Sequence, residues 1–208
     1  MWGLLPRTVQ VIIVVFLGVI GTSTIAALAE LFSGEHPSVY RFISLVASII
    51  TLVCIPLVEA MWRWFWQKIP VMNRWVFPDL NGTWRGELVS TWKNPETGQS
   101  PPPIPVTFWI KQGIFSISVR MKTGESRSYS TRCLAEADRK ARIFRLWYAY
   151  DNRPDAEVSH RSARHEGAAW LELDMGSHPD QLVGQYFTQR KTNGDIRVKQ
   201  FSRDIIEE

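Results

Sequence analysis

The sequence predicts two parts: an N-terminal two-helix transmembrane hairpin over residues 1–68 and, after a linker at 69–80, an all-β domain over 81–208. The second part reads as a minimal eight-stranded up-and-down antiparallel β-barrel. Three observations carry this prediction. Two long apolar runs fall within the first 61 residues. Beyond Pro78, runs of roughly eight to twelve residues alternate in polarity between clusters of Gly, Pro, Asn and Asp. Several connectors between those runs are tight, which favours consecutive hairpins. A two-sheet β-sandwich is the alternative for the same strand pattern.

The first helix is expected at about 8–32, "TVQVIIVVFLGVIGTSTIAALAELF", which carries no charge before Glu30. At 1.5 Å per residue it is long enough for a hydrocarbon core of roughly 30 Å. A secretory signal peptide is the competing reading, because Arg7 precedes the run and Ala27, Leu28 and Ala29 offer a small-residue cleavage site. The run exceeds the roughly 7 to 15 residues of a signal core. The second helix is expected at about 39–61, after the short connector "SGEHPS". Arg7 on one side, and Arg63, Lys68 and Arg74 on the other, put both termini in the cytoplasm by the positive-inside rule. The "WRWFWQK" juncture at 62–68 suits an interfacial aromatic belt. Gly18, Thr22 and Ala26 give the first helix a face of small residues at four-residue spacing, compatible with self-association or with packing inside the hairpin.

Eight strands are expected at about 82–93, 104–112, 114–122, 126–136, 142–151, 167–175, 181–190 and 194–203. Period-two alternation is clearest in "IFSISVRMK", where Phe115, Ile117, Val119 and Met121 share one face. Hairpin turns are expected at "KQG" (111–113) and at "KTNG" (191–194), the latter with Asn193 and Gly194 able to take positive φ. Eight strands can close, which removes exposed sheet edges and leaves room for packed side chains or one small ligand.

Strand parity then assigns the interior. Trp84, Leu88 and Trp92 point inward from the first strand, and Val106, Phe108 and Ile110 from the second. Tyr129, Thr131 and Cys133 do so from the fourth, and Leu182, Gly184, Tyr186, Thr188 and Arg190 from the seventh. The fifth offers Phe144, Leu146, Tyr148 and Tyr150, with Ile143 and Trp147 competing for the same face. Such an interior brings hydroxyls and a cation together with aromatic rings, as ligand pockets do. Tyrosine faces suit stacked bases and arginine suits phosphate. Tyrosine tips that touch water at the barrel ends are the competing reading.

Residues 62–208 hold 22 of the 24 Lys and Arg, against 17 Asp and Glu. This favours an anionic partner, with a merely solvated basic surface as the alternative. Cys54 and Cys133 have no partners at ligand or disulfide spacing, so neither a disulfide framework nor a zinc site is expected. His36, His160, His165 and His178 form no ligand set, and His160 and His165 fall in a polar stretch, "DNRPDAEVSHRSARHEG", that reads as a flexible loop. No P-loop, GxSxG or dinucleotide fingerprint occurs. Glu172 and Asp174 share a strand face that reads as solvated, because Leu171 and Leu173 claim the inside. A binding module, not an enzyme, is expected, with no metal and no cofactor.

The order of parts, with "LNGTWRGEL" opening the strand-rich domain and "LVGQYFTQRKTNGDIRV" near its end, resembles a bacterial family. It is the two-transmembrane β-strand-rich effectors of cyclic-oligonucleotide-based anti-phage signalling, the CD-NTase-associated membrane effectors. The resemblance implies a lipocalin-like minimal barrel in the cytoplasm that binds a cyclic di- or oligonucleotide made by a cognate nucleotidyltransferase. It further implies oligomerisation, disruption of the inner membrane by the helices, and death of the infected cell. Trp84 would then belong to the opening strand, and Gly184, Tyr186 and Arg190 to a late ligand-facing strand. The full candidate set by strand parity is Trp84, Tyr129, Thr131, Tyr148, Tyr150, Tyr186, Thr188 and Arg190. The lipid bilayer and further copies of the chain are expected partners, and direct DNA or RNA binding is not. The alternative is a membrane-tethered lipocalin-like carrier of lipid or fatty acid.

Overall fold

The computed structural model describes residues 2, 5, 7–33, 39–50, 53, 55–69, 71–138, 140–176 and 178–207. The chain divides into two compact units, residues 2–69 and residues 70–208.

In the first unit, α1 spans Arg7–Ser33, α2 Val39–Ile49 and α3 Ile55–Lys68. Among the described residues one helix, through the window Thr8–Ile25, is long and apolar enough to cross a membrane. Its Ile12, Val15, Phe16 and Val19 are exposed, as lipid-facing side chains would be. The segment expected as a second span is described as two helices, α2 and α3, with Pro56 in the first turn of α3, where its missing N–H costs no helical bond. Residues 51, 52 and 54 of that expected span lie outside the described residues. Close approach of α1 to α2 uses Gly21, where an added Cβ would stand 3.4 Å from a Val46 methyl, whereas Gly18 has open space beside it.

In the second unit a short helix α4, Val71–Trp75, leads into eight strands: β1 Gly82–Ser90, β2 Ile104–Gln112, β3 Ile117–Lys122, β4 Ser126–Asp138, β5 Ile143–Pro154, β6 His165–Asp174, β7 His178–Thr188 and β8 Asn193–Ser202. Each strand pairs antiparallel with the next, and β1 pairs with β8, so the sheet is a closed barrel in simple sequence order. The sandwich alternative is excluded by that closure.

One end of the barrel is sealed and the other is open. At the sealed end Phe77 and Leu80, just before β1, are buried with Trp84, Phe108, Ile110, Phe144, Leu173 and Leu182. Polar groups there are matched: Gln112 accepts from the Leu80 N–H and donates to the Pro78 carbonyl, and the Asn81 amide bonds the backbone of Gln112 in both directions. Gly86 lets β8 approach, since a Cβ there would lie 2.0 Å from the Arg197 carbonyl oxygen. The chain's last residues lie along the outside of the same end, where Trp109 Nε1 donates to the Ile206 carbonyl and Thr83 Oγ1 to that of Asp204.

Three expectations, of facing, of turn position and of a flexible loop, are corrected. Phe115 is half exposed in the turn between β2 and β3, closed by the Gly113 N–H to the Ser116 carbonyl, and so does not share the face of Val119. The turn between β7 and β8 is tightened by positive φ at Lys191, while Asn193 and Gly194 already belong to β8. The stretch read as a flexible loop holds a short 3-10 turn, Ala156–Val158, and His165 opens β6 as a buried residue.

Candidate ligand-binding cavity

The interior faces of β5, β6 and β7 interlock large and small residues. On the register of the sheet, Tyr148 pairs with Ala169, which pairs with Tyr186, which pairs with Gly194. One row nearer the open end, Tyr150 pairs with Gly167, which pairs with Thr188. The tyrosines use the space their small partners vacate: a Cβ at Gly194 would meet the Tyr186 hydroxyl at 2.8 Å. Gly194 therefore matters to the interior and not to the turn for which its sequence context suits it.

Above these rows the barrel opens into a cavity of about 740 Å³, within the size range of small-molecule sites. Tyr148, Tyr150, Tyr186, Thr188 and Arg190 all line it. Tyr148 and Tyr150 stand with ring centroids 5.8 Å apart, and the Tyr150 hydroxyl donates to the Phe187 carbonyl at 3.3 Å. Burial raises the pKa of Tyr150 to about 12, with Tyr186 adding to the effect and Arg190 opposing it. Burial also carries Tyr148 well above the ordinary tyrosine value. All the more firmly, then, these are neutral phenols at physiological pH, able to donate a hydrogen bond and to present an aromatic face.

The mouth is shaped by the connector between β5 and β6. Arg190, just past β7, donates to Ser162 Oγ at 3.1 Å, with its other terminal nitrogen 3.5 Å from His165 Nε2. The His165 Nδ1 lies 3.0 Å from the Ala163 carbonyl, so Nδ1 carries the proton and Nε2 is left as an acceptor. Burial lowers the His165 pKa, with Arg190 acting in the same direction. Arg161 pairs with Glu125 across the rim, and the Asp155 N–H donates to the Glu125 carbonyl, which stitches the connector to the β3–β4 turn. Behind the rim, Arg164 grips Asp151 through two bonds of 2.7 and 2.8 Å, and with Arg153 it lowers the Asp151 pKa.

Trp84, Tyr129 and Thr131 do not line this cavity. Trp84 is 1% exposed at the sealed end, and its indole N–H donates to the Leu80 carbonyl at 3.0 Å. Tyr129 is 38% exposed with the Arg153 guanidinium over its ring, and Thr131 is exposed. A β-bulge between Ser130 and Arg132 is the cause. The extra residue inverts strand parity, so Ser126 and Ser128 face inward before it and Cys133 after it. Ser130 Oγ accepts the Val119 N–H there, a backbone donor the β3–β4 ladder leaves unused.

Cavity residues that the strand-parity reading missed include Ser126, Asn152, Arg161, Ser162, His165 and Thr192. Two had a legible signal. Asn152 continues the even-numbered inward series Phe144, Leu146, Tyr148, Tyr150, and His165 continues the odd series Leu173, Leu171, Ala169, Gly167. Both lie just outside the expected strand ends. The chemistry assembled is that of a recognition site: aromatic faces below, hydrogen-bonding groups around, and cations at the mouth.

Residues 75–200, which span the barrel strands almost entirely, match the model of a family described as Cap15, cyclic dinucleotide receptor domain. Among curated proteins, the chain is 26% identical over 157 residues to CD-NTase-associated protein 15 from Staphylococcus schleiferi, covering 76% of this chain and 78% of that protein.

Proposed function

The chain belongs to the Cap15 cyclic dinucleotide receptor family, effectors of cyclic-oligonucleotide-based anti-phage signalling, and we propose that the nucleotide binds in the barrel cavity and drives copies of the chain to assemble and disrupt the bacterial inner membrane. The observation that carries the site is the convergence of Tyr148, Tyr150 and Tyr186 beneath Arg190 in one cavity. A cyclic dinucleotide has two bases, each with a π-face, and two phosphodiesters, each an anion. Stacking on tyrosine is worth about 1–3 kcal/mol per base, and the guanidinium of Arg190 meets phosphate through a planar fork of donors.

In this reading the protein acts by binding and not by catalysis. Its ligand is the product of a cognate nucleotidyltransferase, as the name of the Staphylococcus relative suggests. A ligand shifts an assembly equilibrium only by its differential affinity for the two states, so the nucleotide must bind the assembled form more tightly. The apolar α1 window Thr8–Ile25 supports a membrane anchor. With the apolar segment that follows, it forms the two-span hairpin we propose, both termini cytoplasmic, with Arg63 and Lys68 after the second span on the positive-inside side.

Thermal unfolding of the full chain in detergent, with and without a panel of cyclic dinucleotides, tests the site. A stabilising shift is expected with at least one of them, and Tyr186→Ala or Arg190→Ala abolishes it. No shift with any member of the panel would overturn the reading.

A further inference from the structure

Among the residues that line the cavity, His165 alone is of a type that titrates near neutral pH. It opens β6 at the mouth and is 7% exposed. Its two ring nitrogens are held unequally. Nδ1 lies 3.0 Å from the Ala163 carbonyl, a normal bond that fixes the proton there. Nε2 faces a terminal nitrogen of Arg190 at 3.5 Å, the outer edge of a hydrogen bond. The imidazole lone pair is therefore weakly held, and by the cation that an anionic ligand at the mouth would engage.

Burial is the main cause that keeps this ring neutral. Arg190, just past β7, acts in the same direction, and Asp151 on β5 opposes it to a smaller extent. The other charges nearby are committed or turned away. Asp151 is gripped by Arg164 and Arg153, Arg161 in the connector pairs with Glu125, and Glu166, next along β6, is exposed. Arg190 is thus the neighbouring charge that a bound anion would change.

When a phosphodiester draws the Arg190 donors to itself, the Nε2 lone pair loses its partner and meets an oxygen that has no proton to give. Moving the proton from Nδ1 to Nε2 would leave the Ala163 carbonyl without its donor. The imidazolium satisfies both ends, because Nδ1 donates to Ala163 and Nε2 donates to the phosphate. That second bond is charge-assisted, and the negative phosphate offsets the repulsion from Arg190.

We propose that His165 is a phosphate-binding residue of this cavity and takes up a proton as the ligand binds. The inference rests on the reading of the cavity as a cyclic dinucleotide site with a phosphate at Arg190. Linkage gives the sign: a site that gains a proton on binding holds its ligand more tightly as pH falls.

The test is isothermal titration calorimetry of the full chain in detergent, with cyclic di-AMP, cyclic di-GMP and cyclic GMP–AMP as probes. Titrations in two buffers of different ionisation enthalpy, PIPES and ACES, give the number of protons taken up. For the wild type about half a proton or more per ligand is expected near neutral pH, with affinity about threefold or more higher at about pH 6.5 than at about pH 8. His165→Gln keeps a donor but cannot take up a proton, so it should bind with no uptake and with affinity level across that range. Wild-type binding without uptake, or undiminished uptake in His165→Gln, overturns the role of His165 and leaves the cavity as a nucleotide site. Binding of none of the three probes overturns the cavity reading itself, and the inference with it. Should His165→Gln fail to fold, the variant His36→Gln with His160→Gln and His178→Gln decides, because His165 is then the sole histidine. Uptake must persist in that variant, and its loss overturns the assignment.

Discussion

Tyr150 occupies the space that a side chain at its cross-strand partner Gly167 would need: a Cβ on Gly167 would stand 2.4 Å from both Cζ and Oη of the tyrosine. The glycine is what allows the ring to lie where it does, and the Phe187 carbonyl that accepts the Tyr150 hydroxyl crowds the same point. Small residues on β6 and tyrosines on β5 and β7 are thus one device for building an aromatic cavity inside a narrow barrel.

Gly167→Ala is expected to displace Tyr150. Overpacking of this kind costs about 1–3 kcal/mol, and ligand affinity should fall with it. Denaturant unfolding and titration of the full chain check both. The double variant Gly167→Ala with Tyr150→Leu should recover part of the stability, because the end of the ring, Cζ as well as the hydroxyl, then no longer competes for the space.

Tyr129→Ala and Thr131→Ala are expected to leave ligand affinity within about twofold of wild type, since both side chains lie outside the barrel and exposed substitutions rarely cost more than about 0.5 kcal/mol. Tyr150→Ala and Tyr186→Ala should each weaken binding about tenfold or more, in line with one lost base stack. Equal losses at all four positions would mean that the bulge in β4 does not set the facing.

Trp84→Ala should destabilise the barrel by about 3–5 kcal/mol, as large truncations in a packed interior do. The loss includes the hydrogen bond to Leu80 that ties the chain before β1 to the sealed end. Trp84→Phe should cost less and leave ligand affinity unchanged, which separates a packing role from a binding one. Urea denaturation followed by far-UV circular dichroism measures the difference.

His165 gives the fold an acid-sensitive element. Burial first, with Arg190 acting in the same direction, holds its folded pKa below the ordinary value of 6.5. As pH falls below 6.5 the unfolded chain takes up this proton before the folded one does, so stability declines until the folded pKa is reached and then levels off. Asp151, whose pKa Arg164 and Arg153 lower, contributes separately: its stabilisation is present above the ordinary value of 3.8 and is lost as pH falls through the folded value. Thermal unfolding between about pH 7.5 and pH 5 should therefore show a downward slope that His165→Asn flattens. An unchanged slope would place its origin elsewhere.

The strand pattern was legible because each strand has one buried and one wet face, and period-two alternation records that directly. That alternation, from Ile117 onward in "IFSISVRMK" for example, and the tight connectors were enough for eight antiparallel strands. The same parity correctly gathers Tyr148, Tyr150, Tyr186, Thr188 and Arg190 around one cavity. It fails at Tyr129 and Thr131, because a bulge adds one residue to β4 without leaving any mark in the polarity pattern, and one residue is enough to turn a strand inside out. It fails at Trp84 for another reason: inward does not distinguish the sealed end from the open one, and only the packing of Phe77 and Leu80 closes one of them.

What the sequence alone determined is the local alternation of polar and apolar residues, and with it the strands, their order and a mixed aromatic and basic interior. What the tertiary structure decided is long-range. Closure of β1 on β8 makes the interior a cavity, the register sets tyrosine against glycine, and the folding of the β5–β6 connector over the rim brings Arg161, Ser162 and His165 to the mouth. Those outcomes depend on contacts between residues far apart in the chain, which a pattern of near neighbours does not encode.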